Sequence, residues 1–245
     1  MAATSVPADS PADPAGELAG GLPALNGVLR ELAAATGGSG RLIFPSSGGS
    51  VYGDLSGPAD EATPPTPRSA YALGKVMAEE LVRFWSRTSG LGHDILRFSN
   101  VYGSGAHRTR PQGVIDVFLD DALADRPSHV WGSLEIERDF LFVDDAADAV
   151  LRVTQAAPSN RCFNVGQGET RSLRELLAII TEVTEGRHRW LQAGDHAPGV
   201  RRSAMRADAF STAYGWAPRW TLEAGVRETW KRKLAMAAAA AARGS

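Results

Sequence analysis

The sequence predicts an α/β protein built on a parallel sheet, and three observations carry that expectation. Short apolar runs of strand length, at Arg41–Phe44, Asp94–Phe98, Phe140–Val143 and Cys162–Val165, alternate with segments of helical period. The runs are mostly apolar without polar alternation, the pattern of parallel strands buried on both faces. Polar residues with chemical potential follow the runs directly, and ligands in such sheets lie at the carboxyl ends of the strands. Ser46-Ser47 follow the first, Asn100 the second and Asp144 a later one.

The elements read in order. Residues 1–23 are rich in Ala, Pro, Gly and Asp with no basic start, so a disordered leader is expected and not a signal peptide. Leu25 to Ala35 reads as a helix with Leu25, Val28, Leu29 and Leu32 on one face, ended by Gly37-Gly38-Ser39-Gly40. The first strand, Arg41–Phe44, leads into a proline-rich loop over 54–68. Ser69 is placed to cap a long helix to about Arg87, with Leu73, Val76, Met77, Glu80 and Phe84 in register. Gly90 and Gly92 stop it before the second strand. A helix is expected at 112–124, a short strand around Val130-Trp131, and a helix from Asp144 or Asp145, one of them its cap, to about Gln155. Ser172 and Glu175 make a capping box for the next helix, to about Glu182, and a last helix begins near Thr221. Right-handed crossovers would join the parallel strands.

Composition narrows the function. A chain of 245 residues can bury one sizeable core, with or without a small lobe. The net charge of −2 gives no reason to expect nucleic acid, so an anionic ligand would be held by a few local arginines. The single cysteine, Cys162, excludes an intrachain disulfide framework and suits a reducing, cytoplasmic setting. No apolar run reaches the ~18 residues of a spanning helix. The Ala-rich stretch at 235–242 reads as a fraying helical tail.

One pair carries chemistry. Tyr71 and Lys75 stand four apart on a predicted helix and so project from one face. A neighbouring ammonium favours the phenolate, which is expected to lower the tyrosine pKa and make it a usable general base. Around this pair lie Ser46-Ser47-Gly48-Gly49-Ser50-Val51-Tyr52-Gly53 before it, and Arg97-Phe98-Ser99-Asn100-Val101-Tyr102-Gly103 after it. Arg138-Asp139-Phe140-Leu141-Phe142-Val143-Asp144-Asp145 and Phe163-Asn164-Val165-Gly166 follow.

In this order the segments resemble the extended short-chain dehydrogenase/reductase family, in particular its NAD-dependent nucleotide-sugar 4-epimerases and dehydratases. The resemblance covers residues 24–232 and implies an incomplete Rossmann-type, doubly wound parallel sheet with a small C-terminal substrate-binding lobe. On that division, 24–103 carry the remaining sheet with the catalytic pair, and 104–245 form mainly the sugar-nucleotide lobe, with 139–166 returning to the sheet. The resemblance further implies Tyr71 as base, and Lys75 on the nicotinamide ribose with Tyr71 and Ser46 near the cofactor, NAD. Asn100, Arg138, Ser50 and either Arg201 or Arg202 would contact the sugar nucleotide.

Three departures matter. The family's catalytic Ser or Thr lies four residues before the turn's tyrosine, where this chain has Gly48; Ser47 or Ser50 would substitute, with Ser47 preferred for its place at the strand end. The dehydratase branch carries an Asp-Glu pair next, where Gly49-Ser50 stand, so simple oxidation and reduction at one carbon is favoured. The family's glycine-rich strand–turn–helix start, whose backbone approaches the cofactor pyrophosphate, has no match before residue 40. Without it the first strand is expected to expose an edge, covered by a homodimer partner or another chain. A pseudoenzyme that binds a sugar nucleotide or a partner protein without redox chemistry is the alternative.

Overall fold

The computed structural model describes residues 13–54, 57–103, 113–194 and 202–244. The first element is a helix, α1, Pro14–Thr36, capped by the Asp13 carboxylate and closed by Gly37 in the left-handed conformation at φ 57°. The expected leader is thus helical from Pro14 onward. Pro at the first helical position and an acidic cap outweigh its apolar-poor composition. Leu25 and Leu29 are buried as predicted, but Val28 is 48% exposed.

Strand β1, Arg41–Ser47, runs three residues longer than its apolar part, followed by a single helical turn, α2, Gly48–Val51. Helix α3, Ala70–Ser89, is capped by the Ser69 hydroxyl and closed at Gly90, as its sequence indicates. Its inward face is a correction. Ala70, Ala72, Ala78, Glu79 and Val82 are buried, whereas Met77 and Phe84 are exposed and line an open groove with Leu18 and Leu22 of α1. Small residues face inward because α1 packs closely along α3.

Then come β2, Gly92–Phe98, β3, Asn100–Tyr102, α4, Val114–Leu123, β4, Ser128–Trp131, β5, Glu137–Arg138, and β6, Phe140–Phe142. Helix α5 covers Val143–Thr154 with Phe142 at its cap position. Asp144 and Asp145 therefore do not cap it but sit in its first turn. Asp144 pairs with Arg232, and Asp145 accepts the backbone N–H groups of Arg219 and Trp220. The remaining elements are β7, Arg161–Val165, β8, Arg171–Ser172, α6, Leu173–Val183 with its capping box intact, β9, Trp190–Gly194, β10, Arg202–Ser203, α7, Asp208–Tyr214, and α8, Leu222–Gly244.

The central sheet is parallel in the order β1-β2-β7, so β1 forms one edge and the 161–165 segment returns to the sheet. Strand β2 alternates between two cores. Ile95 packs with Leu25, Leu29, Phe44 and Val82 under α1 and α3, and Leu96 packs with Ala149, Phe163 and Phe210 under α5 and α7. Helices on both faces make the sheet doubly wound. A third core, centred on Ile115, Leu119, Phe142, Leu176, Ile180 and Val226, lies among α4, α6 and α8. Among the described residues no helix is long and apolar enough to cross a membrane. Cys162 is a free thiol whose pKa burial pushes up to about 12, a packing residue and not a reactive one.

Candidate active site

The carboxyl ends of β1 and β2 lie side by side, with Ser46 opposite Arg97 and Ser47 opposite Phe98. Ser47 lies near enough to Tyr71 to lower its pKa, and the Ser50 hydroxyl donates to Ser47 at 2.7 Å. Lys75 Nζ donates to the Pro45 carbonyl at 3.3 Å and stands 5.7 Å from the centre of the Tyr71 ring. The structure therefore brings together Ser47, Ser50, Tyr71 and Lys75 as the sequence suggests.

Their electrostatics differ from the sequence expectation. Burial raises the Tyr71 pKa, the Ser47 side chain opposes the rise, and the Glu17 carboxylate adds to it. Lys75 does not reverse that balance. Burial also lowers the Lys75 pKa, against the pull of Glu17 and Glu79. The spacing of Tyr71 and Lys75 is legible in sequence, but the packing that partly buries them is not.

Ser46 turns the other way. Its buried hydroxyl donates to Glu79 Oε1 at 2.6 Å, so it braces the protein interior. Arg97 grips the same carboxylate through Nε at 2.9 Å and Nη2 at 2.6 Å, and gives Nη1 to the Tyr52 hydroxyl at 2.9 Å. Tyr52 donates to Asn164 Oδ1 at 2.7 Å, and Asn164 Nδ2 donates to the carbonyls of Ala59 and Arg206. This buried chain ties α3, the turn after β1 and β7 to the segment after β10. Burial pushes the Glu79 pKa up, but hydrogen bonds from Arg97 and Ser46 and the charges of Arg97 and Arg83 outweigh it and hold the carboxyl below 4.5. Sequence reasoning missed the chain, although Arg97 inside an apolar strand was a signal that a buried carboxylate had to exist.

Gly48 has a packing partner. A Cβ there would run into Met205 Sδ, and the Arg97 carbonyl oxygen would be 3.1 Å away. Met205 is 2% exposed and packs with Val51, Tyr52 and Ala59, so the volume a serine side chain would need is filled by a thioether.

The candidate sugar-nucleotide residues border this turn. Asn100 Nδ2 donates to the Asp139 carbonyl at 2.9 Å and would lie 3.3 Å from a Cβ at Gly49. Arg138, on β5 beside β10, is half-buried and donates to the Glu137 carbonyl. Burial lowers its pKa while Asp54 opposes. Asp139 accepts the N–H groups of Gln167 and Gly168, and burial pushes its pKa up to about 6. Arg202 pairs with Glu137 at 2.8 Å, and Arg201 lies outside the described residues. Among the described residues no group of His, Cys, Asp or Glu is arranged to hold a metal ion.

The family model of the NAD dependent epimerase/dehydratase family matches residues 2–166. The chain is 33% identical over 202 residues to the UDP-glucose 4-epimerase of Mycolicibacterium smegmatis, covering 80% of this chain and 63% of that protein. It is 32% identical over 188 residues to a putative UDP-glucose 4-epimerase of Methanocaldococcus jannaschii, covering 76% of this chain and 61% of that protein. It therefore spans less than two thirds of the length of either relative. Its fold superposes on the crystal structure of UDP-glucose 4-epimerase with UDP-glucose from Thermotoga maritima with a TM-score of 0.89 and 27% identity, over 97% of this chain and 76% of that one. The Thermus thermophilus UDP-glucose 4-epimerase in complex with NAD gives a TM-score of 0.85 and 26% identity, over 96% and 76%.

Proposed function

Because the chain belongs to the NAD-dependent epimerase/dehydratase family, we propose that it carries the catalytic and sugar-nucleotide-binding part of a nucleotide-sugar epimerase, with Tyr71 as the base. The observation that carries this reading is the convergence of Ser47, Ser50, Tyr71 and Lys75 at the carboxyl end of β1.

The residues fit the nicotinamide side of NAD. Lys75 and Tyr71 offer a cation and a phenol on one wall of the strand ends, the arrangement a ribose diol needs. Among the described residues only α1 precedes β1, and no glycine turn joins a strand to a helix there to receive the pyrophosphate. NAD, when bound, would supply the acceptor and later the donor of the carbinol hydride. Lys75 would favour the phenolate of Tyr71 against the burial that raises its pKa. That phenolate would take the sugar hydroxyl proton as the hydride leaves the carbinol carbon, and return it as the hydride comes back. Ser47 holds the phenol and the sugar oxygen in line. Asn100, Ser50 and Arg138, with Arg202 or Arg201, border the diphosphate and sugar.

Gly48 favours a second reading, a sugar-nucleotide-binding protein without redox chemistry, because Met205 occupies the place of a hydroxyl donor. Calorimetric titration with NAD and then UDP-glucose separates the two. Saturable binding of both supports the epimerase; UDP-glucose binding without NAD supports the second reading, and binding of neither contradicts both. The free edge of β1 is where a second copy or another chain would pair, and a monomer by light scattering would contradict that pairing.

A further inference from the structure

Asp139, between β5 and β6, is 1% exposed. Among the described residues, what opposes the cost of that burial is hydrogen bonding and not a cation. A buried carboxylate without a counter-charge is costly, so its place calls for a structural reason. That reason is the turn after β7. Asp139 Oδ1 accepts the Gln167 N–H at 2.9 Å, and Oδ2 accepts the Gly168 N–H at 3.0 Å. Two glycines let the backbone wrap the carboxylate. Gly168 stands in the left-handed region at φ 82°. A Cβ at position 166 would lie 2.6 Å from Asp139 Oδ2, so only glycine allows the approach.

The backbone of the same residue reaches the candidate sugar-nucleotide side chains. Its carbonyl oxygen accepts the Asn100 N–H at 3.0 Å and Asn100 Nδ2 at 2.9 Å, which orients the Asn100 amide. Its own N–H donates to the Ser203 carbonyl at 3.3 Å, directly after Arg202. Arg138 precedes it on β5, in register with Ser203. Asp139 thus joins β3, β5, β10 and the turn after β7 at one point. The charged side chains around it are Arg138, the Arg202–Glu137 pair of β10 and β5, and Glu169 just past the turn with its partner Arg171.

We propose that Asp139 is a positioning residue of the sugar-nucleotide site: its carboxylate clamps the Gly166–Gly168 turn and its carbonyl aims the Asn100 side chain, and together they set the arrangement of Asn100 and Arg138 for the ligand. The ligand named here rests on the epimerase reading; the clamp itself does not. The clamp needs the ionised carboxyl. An ionised carboxyl accepts at both oxygens, whereas protonation turns one of them into a donor that faces a backbone N–H. Burial pushes the Asp139 pKa up to about 6, so the carboxyl takes up its proton where binding can still be measured.

Two measurements on the parent and one variant test it. In nitrogen-labelled protein followed by NMR, the Gln167 and Gly168 N–H signals and the Asn100 side-chain amide are expected to move with one shared midpoint, above the ordinary aspartate value of about 3.9. UDP-glucose affinity, measured by calorimetry, is expected to fall about tenfold as pH drops through that midpoint, the scale of one hydrogen bond to a charged group. Asp139→Asn keeps the shape but leaves one of the two N–H groups without an acceptor. It is expected to bind UDP-glucose about tenfold more weakly than the parent at neutral pH, and to lose the pH step. A merely structural role would lower the melting temperature and leave affinity without this step. The parent titrations carry the test if the variant does not fold. An Asn100 amide that does not follow the Gln167 and Gly168 signals, or a folded variant with the parent's affinity and pH profile, overturns the proposal. Absent UDP-glucose binding by the parent at every pH is instead the failure of the epimerase reading, and the Asn100 titration then still decides the clamp.

Discussion

Replacing Glu79 by Gln removes one charge from the centre of the buried chain while keeping its shape. The side chains of Glu79 and Arg97 are 0% and 4% exposed, so solvent screens their interaction little. Arg97 meets the carboxylate with two hydrogen bonds, and Ser46 and Arg83 add two more. The amide keeps one acceptor but presents donors toward a guanidinium that can only donate. Removing one partner of a buried ion pair costs about 3–5 kcal/mol. For a chain of this size that lowers the melting temperature by roughly 10 °C. The pH dependence has a definite sign. The Glu79 carboxyl is held below its ordinary 4.5 in the folded protein. Its stabilisation is therefore present above that value and is lost as pH falls through the folded pKa. Melts followed by circular dichroism should accordingly show the parent well above the variant at neutral pH and the gap narrowing under acid. A loss below about 1 kcal/mol at neutral pH, the range of an exposed pair, or a gap that widens under acid, would refute the reasoning.

The pair of Gly48 and Met205 makes two further predictions. Gly48→Ser alone should destabilise the protein by about 1–3 kcal/mol through overpacking against the Met205 thioether. Met205→Ala alone should cost about 2–5 kcal/mol for the cavity it leaves. Denaturant melts of both and of the double variant check them, with the double expected to cost less than the sum because the serine fills part of the space. Strict additivity would mean that the two side chains do not compete.

Much of the scaffold was legible because its signals were local. The Ser69 cap and the Ser172–Glu175 box identify helix starts by side-chain chemistry alone, and both are present. The apolar runs locate β1, β2 and β7, although β1 extends through Pro45, Ser46 and Ser47, which carry no strand signature. The two-residue strands β5, β8 and β10 were invisible because their pairing is long-range. The inward face of α3 was misread for a physical reason. Hydropathy favours Met77 and Phe84, but the buried positions are three alanines, Val82 and a glutamate whose burial depends on Arg97, 18 residues on. Within the site, the spacing of Tyr71 and Lys75 picks out two side chains that the structure places beside each other at the end of β1. The direction of the tyrosine shift was missed because it depends on burial and on Glu17, which belongs to a segment read as disordered.

The central claim, that Tyr71 exchanges the proton with the sugar hydroxyl, is tested most directly by Tyr71→Phe, which removes the phenolic oxygen and keeps the ring. Epimerisation of UDP-glucose in the presence of NAD should be seen with the parent and be lost in the variant, while UDP-glucose binding measured by calorimetry stays at the parent value. A variant that turns over at the parent rate, or a parent that binds both ligands and produces no epimer, would contradict the account.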